Sequence, residues 1–325
     1  MLLFYLSLNL YFILLMSKTF TIICMFPAFN YKTNLYSQTI MNNYQYKQYK
    51  EDQDVDIYLI GSFITKKDYD LIKKLKNKTK ILWLSEPIIH HFKYPYTLIQ
   101  ENEFTLIYGC VLNKPLSCRY KLPLYINYYK AYQHEHYYDQ TYFQSINEKY
   151  KLTHIDDLLK KKFCTMIARH DNWNTRKQLF TELTKVGHII CPSLLFNNFD
   201  NKEFEKTGKH DFLKNFIFNI CPENSEGNFP GYVTEKLMDA CISGTLPIYY
   251  GKLDNIDQNI FNIKRVLFYI PSCKITVTNV VEKIKRLMNC PNELFDFYNQ
   301  DIFNKDAHIY INQMIHAFKN KVDTI

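Results

Sequence analysis

The sequence lacks the patterns that mark several common kinds of binding protein. It contains nine cysteines but no CxxC pair, and its His and Cys residues show no zinc-like spacing. The 40 Lys and Arg residues exceed the 32 Asp and Glu residues, yet they form no long basic block with interleaved aromatics. Internal repeats and low-complexity segments are absent too. These absences argue against a zinc protein and a nucleic-acid-binding protein, and we expect most of the excess positive charge on the solvated surface.

The chain is long enough for two domains, because it has 325 residues of which 47% are hydrophobic. Strand and helix patterns alternate along it, as a parallel, doubly wound sheet requires. The predicted strands are Phe20 to Phe26, Ile57 to Ile60, Ile81 to Leu84, Thr105 to Tyr108, Phe163 to Ala168, Ile189 to Cys191, Phe216 to Cys221, Leu246 to Tyr250 and Val266 to Ile270. We expect a hydrophobic N-terminal segment over residues 1–17, a first domain over 18–150 and a second domain, ending in helices, over 151–325.

Two polar segments interrupt this alternation. The stretch from Tyr128 to Thr153 predicts the linker between the domains, and the charged stretch from Asn197 to Lys209 predicts a loop. Most cysteines lie inside apolar runs, which indicates buried, reduced thiols. A disulfide between Cys110 and Cys118 is an alternative if the protein lies in an oxidising compartment.

The N-terminal apolar run, from Leu2 to Met16, is broken only by Ser7 and Asn9. It is shorter than the roughly 20 residues of a membrane-spanning helix. Lys18 follows it and no Lys or Arg precedes it, the wrong charge order for a secretory signal or a signal anchor. Three interpretations stay open: a weak anchor with membrane association through residues 2–16, a signal sequence, or an N-terminal extension with translation starting at Met16. An anchor would indicate a Golgi-type membrane location, and otherwise the cytoplasm is expected.

The most informative stretch runs from Phe216 to Gly251. An apolar strand stopped by Pro222 is followed by a polar loop, and Thr234 then has the character of a helix N-cap. The helix that it starts is followed by a further strand. In an open α/β sheet the loop after a strand is where ligands bind. Lys236, in the first turn of this helix, lies beside free N–H groups and the positive end of the helix dipole, so the local chemistry favours an anion.

A second strand-loop-helix unit follows the strand from Phe163, and its helix pattern begins at Asn174. Arg176 would lie in the first turn of that helix, as Lys236 does in the other. If the two strands are neighbours in one sheet, both helix starts and both cations point to one place. Such a place suits a diphosphate, although from spacing alone Arg176 is more typical of a solvated helix residue.

The same stretch resembles the donor-site motif of the α1,3-fucosyltransferases, which use GDP-fucose. The resemblance lies in the runs Asn219-Ile220-Cys221, Glu223-Asn224-Ser225, Gly231-Tyr232-Val233-Thr234-Glu235-Lys236-Leu237 and Gly244-Thr245-Leu246-Pro247-Ile248-Tyr249-Tyr250-Gly251. It implies a GT-B-like α/β fold, with two Rossmann-like domains facing a cleft. It also implies inverting transfer of fucose from GDP-fucose to a glycan hydroxyl, with no cofactor or metal required.

The resemblance further implies roles for five residues of the donor site. Arg176 would contact the donor diphosphate together with Lys236, so that the two cations stabilise the charge on the leaving group. Tyr232 would contact the diphosphate and Glu235 the ribose or fucose hydroxyls. Asn224 would order the loop around the donor. Taken singly, Glu235 and Asn224 are also typical of a helix start and a turn.

The acceptor hydroxyl needs a base, and the resemblance implies Glu86. This residue follows the predicted strand that ends at Leu84, and in an aromatic-walled cleft its pKa would rise toward a value suited to a base. His90 and His91 are the competing bases. On its own, a Glu before a Pro is more typical of an ordinary loop.

The run from Asp52 to Asp56 contains a DxD pattern twice, the pattern that holds a divalent ion in metal-dependent transferases. It precedes a strand, whereas a metal-holding DxD follows one, so we interpret it as a solvated turn.

We therefore predict an enzyme that binds GDP-fucose and a glycan acceptor, forms an α1,3 linkage, and binds no nucleic acid. Two alternatives stay open: a GT-B transferase with another nucleotide sugar, and a glycan-binding protein that keeps the fold without turnover.

Overall fold

The computed structural model describes residues 18–23, 40–41, 44–50, 54–84, 93–109, 119–123, 125–126, 139–171, 174–224 and 231–325. The chain divides into two compact units. Unit 1 draws on residues 1–135 and 312–325, and unit 2 comprises residues 136–311.

Unit 1 contains a six-stranded sheet in the order β2-β1-β3-β4-β5-β6, and every pair of neighbours in it is parallel. Its strands and helices are β1 (Thr19–Ile23), β2 (Gln45–Tyr46), β3 (Ile57–Gly61), α1 (Lys66–Lys74), β4 (Thr79–Leu84), α2 (Lys93–Gln100), β5 (Leu106–Gly109) and β6 (Arg119–Lys121). Apolar residues of the central strands, such as Leu82 and Ile107, pack against Ile72 of α1 and Leu98 of α2.

Unit 2 contains a five-stranded parallel sheet in the order β11-β10-β9-β7-β8. Its elements are α3 (Gln140–Lys149), α4 (Ile155–Leu159), β7 (Lys162–Thr165), α5 (Lys177–Leu183), β8 (Ile189–Ile190), α6 (Asn201–Thr207), α7 (Lys209–Leu213), β9 (Phe216–Ile220), α8 (Glu235–Ile242), β10 (Leu246–Tyr249), α9 (Asn255–Ile260), β11 (Leu267–Phe268), α10 (Lys274–Asn289) and α11 (Pro291–Tyr298). A last helix, α12 (Ala307–Asp323), begins in unit 2, and its residues from 312 onward belong to unit 1.

The parallel α/β prediction is therefore confirmed in both units, and the division between them, after residue 135, falls inside the predicted linker. The loop predicted from Asn197 to Lys209 is wrong, and the linker segment also contains a helix. The predicted linker contains helix α3, and the predicted loop from Asn197 to Lys209 contains α6 and the start of α7. Polar sequence alone misled here, because α3 buries only Phe143 and Ile146 and α6 buries no residue.

The division into units also differs from the boundary expected at residue 150. Helix α3 belongs to unit 2, where the Phe143 ring packs on Phe303 with centroids 4.9 Å apart. The Asn147 side-chain oxygen accepts hydrogen bonds from the N–H groups of Ile302 and Phe303 at 2.8 and 2.9 Å. The C-terminal part of α12 belongs to unit 1, since Phe318 packs edge-on against Tyr108.

Several sequence-based expectations fall on residues that the structure does not describe. Cys110 and Cys118 lie outside the described ranges, as does the apolar run from Leu2 to Met16. Within those ranges, no helix combines the length and apolar character needed to cross a membrane. The described cysteines are free, and four of them are buried, as predicted: Cys164, Cys191, Cys221 and Cys241.

Arg265 is the buried charge that fixes the C-terminal end of α8. Its guanidinium donates to the carbonyls of Gly244 and Thr245, which follow α8, at 3.0 and 2.8 Å, and to the carbonyl of Tyr298 at 3.1 Å. It is 1% exposed. The three carbonyls have no access to water at these positions, so they depend on this side chain for hydrogen bonds.

Arg265→Met is expected to lower the free energy of unfolding by roughly 3 kcal/mol or more, because it leaves buried carbonyls without donors. Lys264→Met is the matched control, since this neighbouring side chain is exposed. Urea denaturation of both variants checks the expectation. Equal midpoints for the two would contradict the structural role of Arg265.

Candidate functional site

The candidate site lies where two neighbouring strands of unit 2 end. β7 and β9 pair in parallel, with Cys164 opposite Phe218 and Thr165 opposite Asn219. Their carboxyl ends therefore meet at one edge of the sheet, and the loops toward α5 and α8 both start there. The condition that the two strands be neighbours in one sheet is therefore met.

Helix α8 begins as the sequence predicted. Thr234 is the N-cap, with extended backbone angles, and its hydroxyl accepts from the Lys236 N–H at 3.4 Å. Leu237, Ala240 and Cys241, which the sequence placed on one face of the helix, are buried. The packed face sets the orientation of the helix, and the cap sets where it starts.

A buried carboxylate, that of Glu223, joins the end of β9 to the start of α8. It accepts from the Thr234 N–H at 2.8 Å and from the Thr234 hydroxyl at 2.6 Å. The Tyr249 hydroxyl, at the end of β10, donates to it at 2.9 Å. Burial raises the pKa of Glu223, and the nearby charge of Lys236 and the two bonds from Thr234 lower it in part. The carboxylate thus ties three segments together at the site.

The ammonium of Lys236 lies within this network. Its Nζ donates to the Thr234 hydroxyl at 3.0 Å and lies 3.5 Å from carboxylate oxygens of both Glu223 and Glu235. The Lys236 side chain is 19% exposed. The two carboxylates hold the cation at the start of α8 with part of its surface open to a ligand.

Arg176 is less exposed than Lys236, and it precedes its helix where the sequence predicted a position in the first turn. It is the N-cap residue of α5, which begins at Lys177 and not at Asn174. Its guanidinium donates to the His170 carbonyl at 3.0 Å, to the Asn224 side-chain oxygen at 2.9 Å and to the Pro222 carbonyl at 3.4 Å. The side chain is 4% exposed. These bonds join the loop after β7 to the loop after β9.

The start of α5 is already occupied by an anion of the chain itself. The Asp171 carboxylate accepts from the N–H groups of Arg176, at 3.1 and 3.2 Å, and of Lys177, at 2.8 Å. It satisfies donors that a bound anion would otherwise use. The expectation that both helix starts offer N–H groups to a ligand is therefore wrong for α5. This helix contributes to the site through the side chain of Arg176.

The two cations nevertheless face the same space. Both side chains line a small hollow at the ends of β7 and β9, which has a cavity volume of about 20 Å³. It is lined by Ile167, Arg176, Lys209, Asn219, Ile220, Cys221, Pro222, Lys236 and Asp239. The structure thus brings together the pair that the sequence pattern had placed at two helix starts.

The other predicted site residues have different surroundings. Asn224 bonds to Arg176, so the loop residue and the cation act as a unit. Tyr232 is 2% exposed, and Glu235 lies beside Lys236. Glu86 lies outside the described residues, as do the competing bases His90 and His91. Their predicted roles stay predictions.

The aspartates of the DxD pattern that the structure describes make contacts within unit 1. Asp54 forms an exposed ion pair with Lys78, and Asp56 accepts from the Thr19 N–H at 2.6 Å. In the described part of the chain, no three His, Cys, Asp or Glu side chains are grouped as metal ligands would be.

Sequence reasoning missed the part that Glu223 plays. The residue comes three positions after the end of the buried strand β9 and directly precedes Asn224, which is a signal for a ligand loop. Its burial depends on Thr234 and Tyr249, which lie 11 and 26 residues further along the chain.

Comparison with known proteins gives a local sequence match and a match of the whole fold. No protein-family model matches the chain. An α-(1,3)-fucosyltransferase, FucT of Helicobacter pylori, is 34% identical over 95 residues, which are 29% of this chain. The chain covers 19% of the length of that relative.

Solved structures of α1,3-fucosyltransferase have the same fold. One crystal structure matches with a TM-score of 0.69 at 18% identity, covering 95% of this chain and 91% of its own. A second, with GDP-fucose, matches with a TM-score of 0.63 at 18% identity, covering 94% and 89%. The local sequence resemblance and the predicted α/β fold, with a parallel sheet in each unit, are therefore confirmed.

The raised pKa of Glu223 predicts a pH dependence of stability. The folded protein binds this proton more readily than the unfolded chain, so the resulting stabilisation is complete below the unfolded value of about 4.5 and is lost as pH rises through the folded pKa. Wild type should therefore lose free energy of unfolding relative to Glu223→Gln as pH rises above 4.5.

Denaturation at several pH values measures this difference, and Glu182→Gln is the control. The Glu182 side chain is 42% exposed, and the hydrogen bond from Lys185 lowers its pKa. The free energy of unfolding of the wild type should therefore rise slightly relative to that of Glu182→Gln as pH rises. Parallel curves for wild type and Glu223→Gln would contradict the assignment.

Proposed function

We propose that this protein transfers fucose from GDP-fucose to a hydroxyl of a glycan acceptor, with inversion, most simply as an α1,3-fucosyltransferase. The observation on which the proposal rests is that Arg176 and Lys236 line one hollow at the ends of β7 and β9. The similarity to the Helicobacter pylori enzyme and the shared fold support the choice of donor.

The reaction requires removal of the acceptor proton and stabilisation of the charge on the departing GDP. The acceptor oxygen attacks C1 of fucose and loses its proton to a base, while the bond from C1 to the diphosphate oxygen breaks. Negative charge therefore develops on GDP as it leaves. Arg176 and Lys236 would stabilise that charge, and their side chains are already held by Asn224 and Glu223.

The remaining assignments are part of the same proposal. Tyr232 would contact the diphosphate and Glu235 the sugar hydroxyls, as the resemblance implies. Glu86 of unit 1 would accept the proton of the acceptor hydroxyl. With two cations of the chain at the leaving group, the proposed mechanism requires neither a cofactor nor a metal. Membrane association through residues 2–16 also stays a prediction.

Lys236→Ala is expected to reduce turnover of GDP-fucose by roughly 10²- to 10³-fold, since it removes a charge that stabilises the leaving group. Lys185→Ala is the control, because that lysine is exposed on the turn after α5. The measurement is fucose transfer to an array of glycan acceptors, which also identifies the acceptor. Arg176→Ala should abolish transfer too, but its lost buried bonds will also lower stability, so Lys236→Ala is the cleaner variant.

Near-wild-type turnover by Lys236→Ala would refute the mechanism. Calorimetric titration with GDP and with UDP tests the donor, because preference for UDP would favour a transferase with another nucleotide sugar. If the wild type consumes no GDP-fucose with any acceptor, the result would favour a glycan-binding protein.

Glu86→Gln is expected to lower turnover by about 10²-fold or more while leaving GDP affinity unchanged, because a base acts only on the acceptor proton. Glu101→Gln is a control in the same unit, since Glu101 is an exposed partner of Lys73. A pH profile of turnover checks the role. Unchanged turnover in Glu86→Gln would remove this residue from the mechanism and turn attention to His90 and His91.

A further inference from the structure

A third cation lies at the hollow that contains Arg176 and Lys236. Lys209, the first residue of α7, belongs to its wall, together with the carboxylate of Asp239. Three cations thus face one carboxylate among the charged side chains that line this hollow. The carboxylates of Asp171, Glu223 and Glu235 lie 3.5 to 3.7 Å from Arg176 or Lys236 but are not part of this wall. The wall itself therefore presents more cations than carboxylates, which favours binding of an anion.

Asp239 holds Lys209 in place. It lies on α8 three residues after Lys236, so the two side chains share one face of the helix. Its carboxylate is 8% exposed and forms an ion pair with the Lys209 ammonium. The other oxygen lies 2.8 Å from Nε2 of His210. A cation anchored in this way needs little further ordering to bind a ligand.

Lys209 is also the most exposed cation of the hollow. Its side chain is 37% exposed, compared with 19% for Lys236 and 4% for Arg176. Arg176 gives its hydrogen bonds to two carbonyls and Asn224, and Lys236 lies among Thr234 and two carboxylates. An anion that reaches this site from solvent would therefore meet Lys209 before the two more buried cations.

The space around Lys209 supplies the room that the hollow lacks. A hollow of about 20 Å³ holds little more than one water-sized group. A second cavity, of about 380 Å³, has Arg169, Ser193 and Glu205 on its wall, and Ile167 and Lys209 line both spaces. Lys209 thus lines both spaces, and a diphosphate lying across them would contact it.

We propose that Lys209 is a third phosphate-binding residue, which contacts the diphosphate of the donor, and that Asp239 is a positioning residue that holds it there. The identity of the ligand as GDP rests on the proposed function, whereas the anion site itself does not. During transfer, Lys209 would share the charge that develops on the departing diphosphate with Arg176 and Lys236.

Calorimetric titration of the full chain with inorganic pyrophosphate, and separately with GDP, tests the proposal. Lys209→Ala should weaken both affinities by at least about tenfold, the effect of losing one hydrogen bond to a charged group. Lys206→Ala, an exposed lysine on α6, is the matched control and should stay within twofold of wild type. Lys209→Arg keeps the charge and should restore most of the affinity.

Lys209→Gln guards against a structural effect, because it can still donate to Asp239 but lacks the charge. It should weaken pyrophosphate binding as Lys209→Ala does, with an unchanged thermal midpoint and a smaller dependence of affinity on salt than wild type. Wild-type affinity in Lys209→Gln, or no pyrophosphate binding by the wild type, would overturn the proposal.

The two proposals fail separately. Loss of pyrophosphate affinity in the Lys209 variants, without fucose transfer by the wild type on any acceptor, would support the anion site and refute the proposed function. Fucose transfer by the wild type, with unchanged GDP and pyrophosphate affinity in Lys209→Gln, would do the reverse.

Discussion

The position of Lys236 depends on a carboxylate that has almost no contact with water. Glu223 is 1% exposed, and its oxygens are held by the backbone and hydroxyl of Thr234 and by Tyr249. A buried carboxylate is costly unless such donors satisfy it, and a cation close by offsets part of that cost. Lys236 is that cation, at 3.5 Å. The same hydrogen-bonded carboxylate, Glu223, therefore fixes the start of α8 and orients Lys236.

The same pattern appears around the other cations of the hollow. Arg176 has Asp171 near its guanidinium, at 3.7 Å, and Lys209 is paired with Asp239. Each positive charge is thus held by a carboxylate of the chain, which keeps it in place when no ligand is bound. Because Asp171 also occupies the N–H groups at the start of α5, recognition of an anion here falls to side chains more than to backbone.

Much of the structure of the stretch from Phe216 to Gly251 could be predicted from the sequence, because its signals are local. An apolar strand stopped by Pro222 and a threonine at the start of a helix need no distant partner to be recognised. The start of α5 could not be predicted in this way, since the Asp171 carboxylate that caps it comes from the loop. Helix α6 was missed because none of its residues is buried, so it has no apolar periodicity. Lys209 was missed because its partner Asp239 is 30 positions further along the chain, and only the fold brings them together.

The packing of Tyr150 has a practical consequence for anyone who wishes to study unit 2 as a separate fragment. Gly244, two residues after the end of α8, has a φ of 73°, and a Cβ atom there would lie 2.3 Å from the Tyr150 ring. The ring thus closes over the turn that ends α8, and Asn147 anchors the preceding helix to residues 302 and 303. A fragment that starts at residue 151 would lose both contacts and expose the turn at the C-terminal end of α8 to solvent. Its first residue should instead precede Asp139, whose carboxylate caps α3.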